Sequence, residues 1–149
     1  MLSPEGLKFS PFLVNKLDWK RVKYGDAEKG KVPNDKRGVY AFAVCEPSDV
    51  LPPHGHVLYI GIAGRKSNRS LRARYGDYLN TKKVAKRERI AYMIGTWHEV
   101  LHFFFAPVDE AMTSDDLEEL ERQLNSALLP PFAEGDLEAG IKAKRKAFK

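Results

Sequence analysis

Cysteine is nearly absent. Cys45 is the only one in 149 residues, so no internal disulfide can form and a reducing, cytoplasmic setting is the expectation. Long apolar runs are missing too: no stretch reaches the length needed to cross a bilayer. Met1 to Ser10, with Pro4, Glu5 and Gly6, lacks the apolar core of a secretory signal, so no membrane partner is expected. Histidine is scarce. His98 and His102 have the spacing of a helical metal pair but sit in Trp97 to Phe105, which reads as a strand, while His54 and His56 fall in a Pro-rich connection. Gly61 to Ser67 reads Gly-Ile-Ala-Gly-Arg-Lys-Ser. It has neither the Gly-Lys-Ser nor the upstream glycine of a phosphate-binding P-loop, which excludes an ATPase of that type.

What is present is one core's worth of apolar residues and an uneven charge. At 43% hydrophobic and 11% aromatic, the chain suffices for a single domain. Its net charge is +5, yet Arg65 to Arg89 holds ten Lys or Arg against Asp77 and Glu88, a local +8, so the remainder sums to −3. A basic stretch interleaved with Tyr75 and Tyr78 suits a polyanion such as nucleic acid, although solvated basic faces are also common.

Hydrophobic periodicity gives the elements. Phe9 to Val22 is a loose helical or mixed pattern, and Lys23 to Arg37 reads as a loop. Gly38 to Val44 is short, β-branched and aromatic, hence a strand; His56 to Ile60 resumes a strand after Pro47, Pro52, Pro53 and Gly55. Ser70 caps a helix to about Asn80, which puts Arg74 and Tyr78 on one face. Lys82 to Ile94 reads as a further helix, with Val84, Ala85, Ile90 and Ile94 inward. Val100 to Val108, containing Phe103-Phe104-Phe105, reads as a third, buried strand. Thr113 or Ser114 caps a last helix that runs to about Leu129 before Pro130-Pro131, and the tail from Lys142 to Lys149 is basic.

In order along the chain stand Gly38-Val39-Tyr40, Tyr59-Ile60-Gly61, Leu71-Arg72-Ala73-Arg74 followed by Tyr78, and Glu121-Arg122-Gln123-Leu124 before Pro130. This series resembles the GIY-YIG endonucleases, over roughly residues 37 to 133. The resemblance implies an α+β fold with a small three-stranded antiparallel sheet flanked by helices, and hydrolysis of a nucleic-acid backbone with Mg²⁺ or Mn²⁺. Residues 1–36 would be an extension packing on that domain and 134–149 a basic tail. By the same resemblance Glu121 is the metal ligand, Arg74 the phosphate clamp, and Tyr40 and Tyr59 the pair that activates or positions water. Tyr78 falls where members carry a His or Tyr facing the site.

These residue types suit that chemistry. A guanidinium forks across two phosphate oxygens and stays charged. Mg²⁺ is commonly held by one or two carboxylates and takes the rest of its shell from water and phosphate. A phenol with pKa about 10 is ionised roughly one part in a thousand at pH 7, so a tyrosine base needs positive charge nearby. Arg65, Lys66 and Arg69 are the expected source, with a rate rising between pH 6 and 9; which of Tyr40 and Tyr59 is the base is left open. Glu121 lies beside the stripe of Leu117, Leu120, Leu124 and Leu128 and can look inward, unlike Glu119.

The expected contacts to nucleic acid, double-stranded DNA first, are Arg65, Lys66, Arg69 and Arg72, then Lys82, Lys83, Lys86 and Arg87. The chain departs from the family pattern in three places. Cys45 to His56 forms an insertion, Ile62 follows the second motif where many members are polar, and Ala133 stands where an Asn often closes the domain. A catalytically weak nucleic-acid-binding module, or a subunit of a larger assembly, is the alternative; an oligomer or a protein partner is left open.

Overall fold

A computed structural model describes residues 17–46 and 54–133. The tail 134–149, the first sixteen residues of the extension and the middle of the insertion, 47–53, lie outside the described residues.

Two strands follow the sequence pattern closely. β2 (Gly38–Glu46) and β3 (His54–Ala63) pair antiparallel, with a bulge between Phe42 and Ala43 that brings Tyr40 opposite Gly61 and Phe42 opposite Tyr59. β4 (Leu101–Pro107) pairs antiparallel with β2 on its other side. The sheet has four strands, not the three expected: β1 (Lys20–Lys23) adds to β4, giving the order β1-β4-β2-β3. β1 is Lys-Arg-Val-Lys, with only Val22 buried. Its charge conceals it in the sequence, and suits an edge that must not recruit other strands.

The helices divide between the two sheet faces. α1 (Leu71–Leu79) is capped by Ser70, whose hydroxyl accepts from Ala73 N. The helix expected over Lys82 to Ile94 is two: α2 (Thr81–Val84), capped by the Asn80 amide oxygen, and α3 (Glu88–Trp97). Ala85 is exposed, and Met93 joins Ile90 as the buried pair of α3. With Leu71, Tyr75 and Tyr78 of α1, these cover the face carrying Tyr40, Phe42, Tyr59, Phe103 and Phe105. α4 (Ser114–Leu128), capped by Thr113, lays Leu117, Leu120 and Leu124 on the opposite face against Val39, Ala41, Ile60 and Ala106. α4 packs chiefly along β3, an edge strand, which sets it at the margin of the sheet.

The extension residues 17–36 are tied to the core. Tyr24 Oη donates to the Tyr78 carbonyl at 2.7 Å, and Tyr75 Oη accepts from Gly25 N at 3.0 Å. Arg72, expected on nucleic acid, donates to the carbonyls of Val32 (2.7 Å) and Gly30 (2.9 Å), so it clamps the chain to itself. Among the described residues no helix is long and apolar enough to cross a membrane.

Candidate active site

The bulged β2–β3 pair sets two phenols side by side. Tyr40 and Tyr59 point to the same face, their ring centroids 6.4 Å apart. Tyr78, from the buried side of α1, closes the group: its hydroxyl lies 2.6 Å from Tyr40 Oη, and its ring centroid is 6.1 Å from that of Tyr59. A guanidinium stands at each end. Arg74 Nε donates to Tyr40 Oη at 3.2 Å, and Arg87 donates to Tyr59 Oη at 3.3 Å. The Arg87 guanidinium also sits 5.4 Å from the Tyr78 ring and 5.7 Å from the Tyr59 ring, within cation–π range.

Tyr40, Tyr59, Arg74 and Arg87 line one cavity of about 330 Å³, and Glu121 lines it with them. Glu121 belongs to the helix on the opposite sheet face. It lines the same cavity as the phenols because β3, between them, is the edge strand of the sheet among the described residues. The neighbouring Glu119 is spent on the helix surface, accepting from Arg122 and from Gln123 Nε2. Four of the five expected catalytic residues thus share a cavity. The fifth, Tyr78, is 1% exposed and stands behind the other phenols, where it orients them without facing the cavity.

Gly61 explains why a glycine must follow the second tyrosine. A Cβ there would overlap the Tyr40 hydroxyl and stand 2.5 Å from Tyr40 Cζ. The Tyr40 ring cannot swing away, because it is fully buried and abuts Phe103 at 5.4 Å and Tyr78 at 5.7 Å between centroids. Overpacking of this kind costs about 1–3 kcal/mol. Gly61→Ala is therefore expected to lower Tm by roughly 2–4 °C per kcal/mol lost in a domain of this size, measured by thermal denaturation; an unchanged Tm would mean that the ring has room after all.

The electrostatics correct one expectation. Burial pushes the Tyr40 phenol well above its ordinary pKa, Tyr78 and Tyr59 push it further, and the Arg74 charge offsets only part. Burial likewise raises Tyr59, against the lowering hydrogen bond from Arg87. Both shifts favour the neutral phenol over the phenolate. Arg65, Lys66 and Arg69 line the cavity but do not outweigh desolvation. Arg65 is engaged by Glu118 at 2.6 Å and Arg69 by Asp77 at 2.7 Å. Half-burial beside the phenols does not lower the Arg74 pKa, so its guanidinium stays a permanent cation.

Of the other expected nucleic-acid contacts, Arg65, Lys66 and Arg69 line this cavity and Lys82, Lys83 and Lys86 do not. Lys83 is paired with Asp77 at 2.6 Å. Arg87 moves from that group into the site itself. The α2–α3 break that turns it inward has no separate motif, and Lys86-Arg87 looks in sequence like any solvated basic pair. Among the described residues no group of three or more His, Cys, Asp or Glu is placed to hold a metal. Glu121 is the one carboxylate lining the cavity among the described residues and its cations are not ligands, so an ion held there would take the rest of its shell from water and phosphate. No family model, curated protein or solved structure matches the chain.

Proposed function

We propose that the protein is a GIY-YIG-type endonuclease that hydrolyses phosphodiester bonds in nucleic acid, DNA foremost, with Mg²⁺ or Mn²⁺. The supporting observation is the single cavity in which Arg74, Tyr40, Tyr59 and Glu121, drawn from two sheet faces and far-apart stretches of chain, meet. A lone cysteine with no disulfide partner suits the cytoplasm as its setting.

Arg74 grips the non-bridging oxygens of the scissile phosphate, where its remaining N–H groups add to the one given to Tyr40. Arg87 holds a second positive charge beside Tyr59 and faces the charge that builds on the phosphorus oxygens. Glu121 would hold the divalent ion, which when bound supplies Lewis-acid stabilisation of that charge and of the leaving oxygen. The tyrosines act as neutral groups: Tyr59 Oη, fixed by Arg87 and adjoining Tyr78, orients the attacking water by hydrogen bonding. The new bond joins the water oxygen to phosphorus and the bond to the departing sugar oxygen breaks; the water's proton passes to solvent, and the departing oxygen takes a proton from solvent to leave as a hydroxyl.

The test is incubation of the purified protein with supercoiled plasmid, single strands and RNA, with Mg²⁺ or with a chelator, across pH 6 to 9. Nicking that requires the metal is expected. Tyr59→Phe should lower the rate while its pH profile stays parallel to that of the unaltered protein. Binding without cleavage under every condition would leave a binding module, and a pH profile that flattens in Tyr59→Phe would restore a tyrosinate base.

A further inference from the structure

A second, larger cavity of about 580 Å³ adjoins the first, and the two share Gly64, Arg65, Lys66, Ser67 and Arg69 in their walls. Its far wall is the segment Asn34 to Arg37, which leads into β2. That wall is fixed in place. Leu71 N donates to the Lys36 carbonyl at 2.8 Å, Arg72 N to the Pro33 carbonyl at 3.0 Å, and Val108 N to the Arg37 carbonyl at 3.1 Å.

Its lining selects for a ligand. Lys36, Arg37, Arg65, Lys66 and Arg69 line it with Asp35 and Glu110; Arg65 and Arg69 are paired outside the lining with Glu118 and Asp77, so the excess of positive charge rests on Lys36, Arg37 and Lys66. Among the described residues no aromatic side chain lines it, so bases have no surface to stack on. The start of α1 does not offer bare N–H groups either, since those of Leu71, Arg72 and Ala73 are taken by Lys36 O, Pro33 O and Ser70 Oγ. Anions must be met by cationic side chains, which is how a phosphate backbone is held without reading sequence.

We infer that this second cavity is the track for the polynucleotide backbone flanking the scissile phosphate, continuous with the catalytic cavity across the Gly64–Ser70 loop. The inference deepens the endonuclease reading and rests on it for the identity of the scissile pocket. Lys36 is the residue that isolates the track: it lines the second cavity but not the first, and among the described residues its ammonium is held only by a 3.9 Å pair with a highly exposed Glu110. Removing its side chain leaves the backbone carbonyl that anchors α1 intact.

The measurement is equilibrium binding of a fluorescently labelled DNA duplex in metal-free buffer over a range of salt concentrations. Lys36→Ala should weaken binding several-fold, equally for duplexes of unrelated sequence, and reduce the slope of log affinity against log salt by about 0.9. Lys36→Arg should restore the slope. Lys20→Ala, which removes the same charge from β1 away from both cavities, should leave it unchanged. A Lys36→Ala slope equal to that of the unaltered protein, or an equal fall in Lys20→Ala, overturns the track. Cleavage is scored separately. If the unaltered protein binds but never cuts, the nuclease reading fails while the slopes still decide the track; if it binds no nucleic acid, both fail.

Discussion

Arg74→Ala is expected to slow strand scission by about 10³-fold, the scale set by losing one preorganised cation or donor aimed at developing charge. The loss should fall on kcat more than on KM. Arg65, Lys66, Arg69 and Arg87 remain around the same cavity to hold the polyanion, whereas the Tyr40-braced guanidinium is fixed in direction. Arg74→Lys should recover little, because an ammonium cannot fork across two oxygens while also bonding Tyr40. A purely structural role is separable from this one. The Arg74 side chain is 35% exposed, its pair with Asp77 is long at 3.7 Å, and Tyr40 Oη keeps Tyr78 Oη as a partner at 2.6 Å once Arg74 is gone, so truncation should change Tm little. Asp77 keeps its closer partners Lys83 and Arg69, whose hydrogen bonds outweigh burial and hold its carboxyl below the usual range. A plasmid-nicking rate within tenfold of the unaltered protein would remove Arg74 from the clamp role.

Whatever rests on local periodicity was legible in the sequence. β4, α1 and α4 appear where alternation, caps and helical spacing put them, and so do the middles of β2 and β3, but the ladder runs on through Cys45–Glu46 and His54–His56, which read in sequence as part of the insertion. β1 was not legible: with three charges in four residues it has no pattern of its own, and its partners, from Phe105 opposite Lys20 to His102 opposite Lys23, lie far along the chain. The break between α2 and α3 was hidden for a related reason. α2 stops at Val84 and α3 starts at Glu88 without a side-chain cap, so no residue marks the turn that aims Arg87 at two rings it could not be matched to in sequence. Arg72 shows the converse, a motif-embedded cation whose partners, Gly30 and Val32, are contacts of the fold.

The phenols mark the deeper limit. That Tyr40, Tyr59 and Arg74 belong together could be read from motif order, but the sign of a tyrosine pKa is decided by burial against charge, and burial is a property of the assembled fold. A neighbouring cation was the reason to expect a lowered value. Enclosure by Phe103, Phe42 and Tyr78 reverses it. The sign also has a stability consequence. A phenol whose pKa is raised by folding contributes fully below its unfolded value of about 10, and the contribution fades only at more alkaline pH. The group is therefore protonated and stabilising throughout the physiological range.

Glu121→Gln should lower metal-dependent cleavage by about 10³-fold at Mg²⁺ concentrations that saturate the unaltered protein, since Lewis-acid stabilisation is worth several kcal/mol and each 1.36 kcal/mol is tenfold. The substitution keeps the shape of the side chain and removes one charge. Glu121 is the only carboxylate among the cavity's described lining residues, against the cations Arg65, Lys66, Arg69, Arg74 and Arg87, so its neutralisation makes the cavity more positive. DNA affinity measured without metal should therefore hold or rise even as cleavage disappears. That opposition of signs separates a metal ligand from a residue that merely supports the fold, whose loss would weaken both together. Raising Mn²⁺ should return part of the rate, because an amide oxygen is a poorer ligand than a carboxylate but still a ligand. Unaltered cleavage in Glu121→Gln, or binding that falls in step with cleavage in metal-free buffer, would place the ion elsewhere.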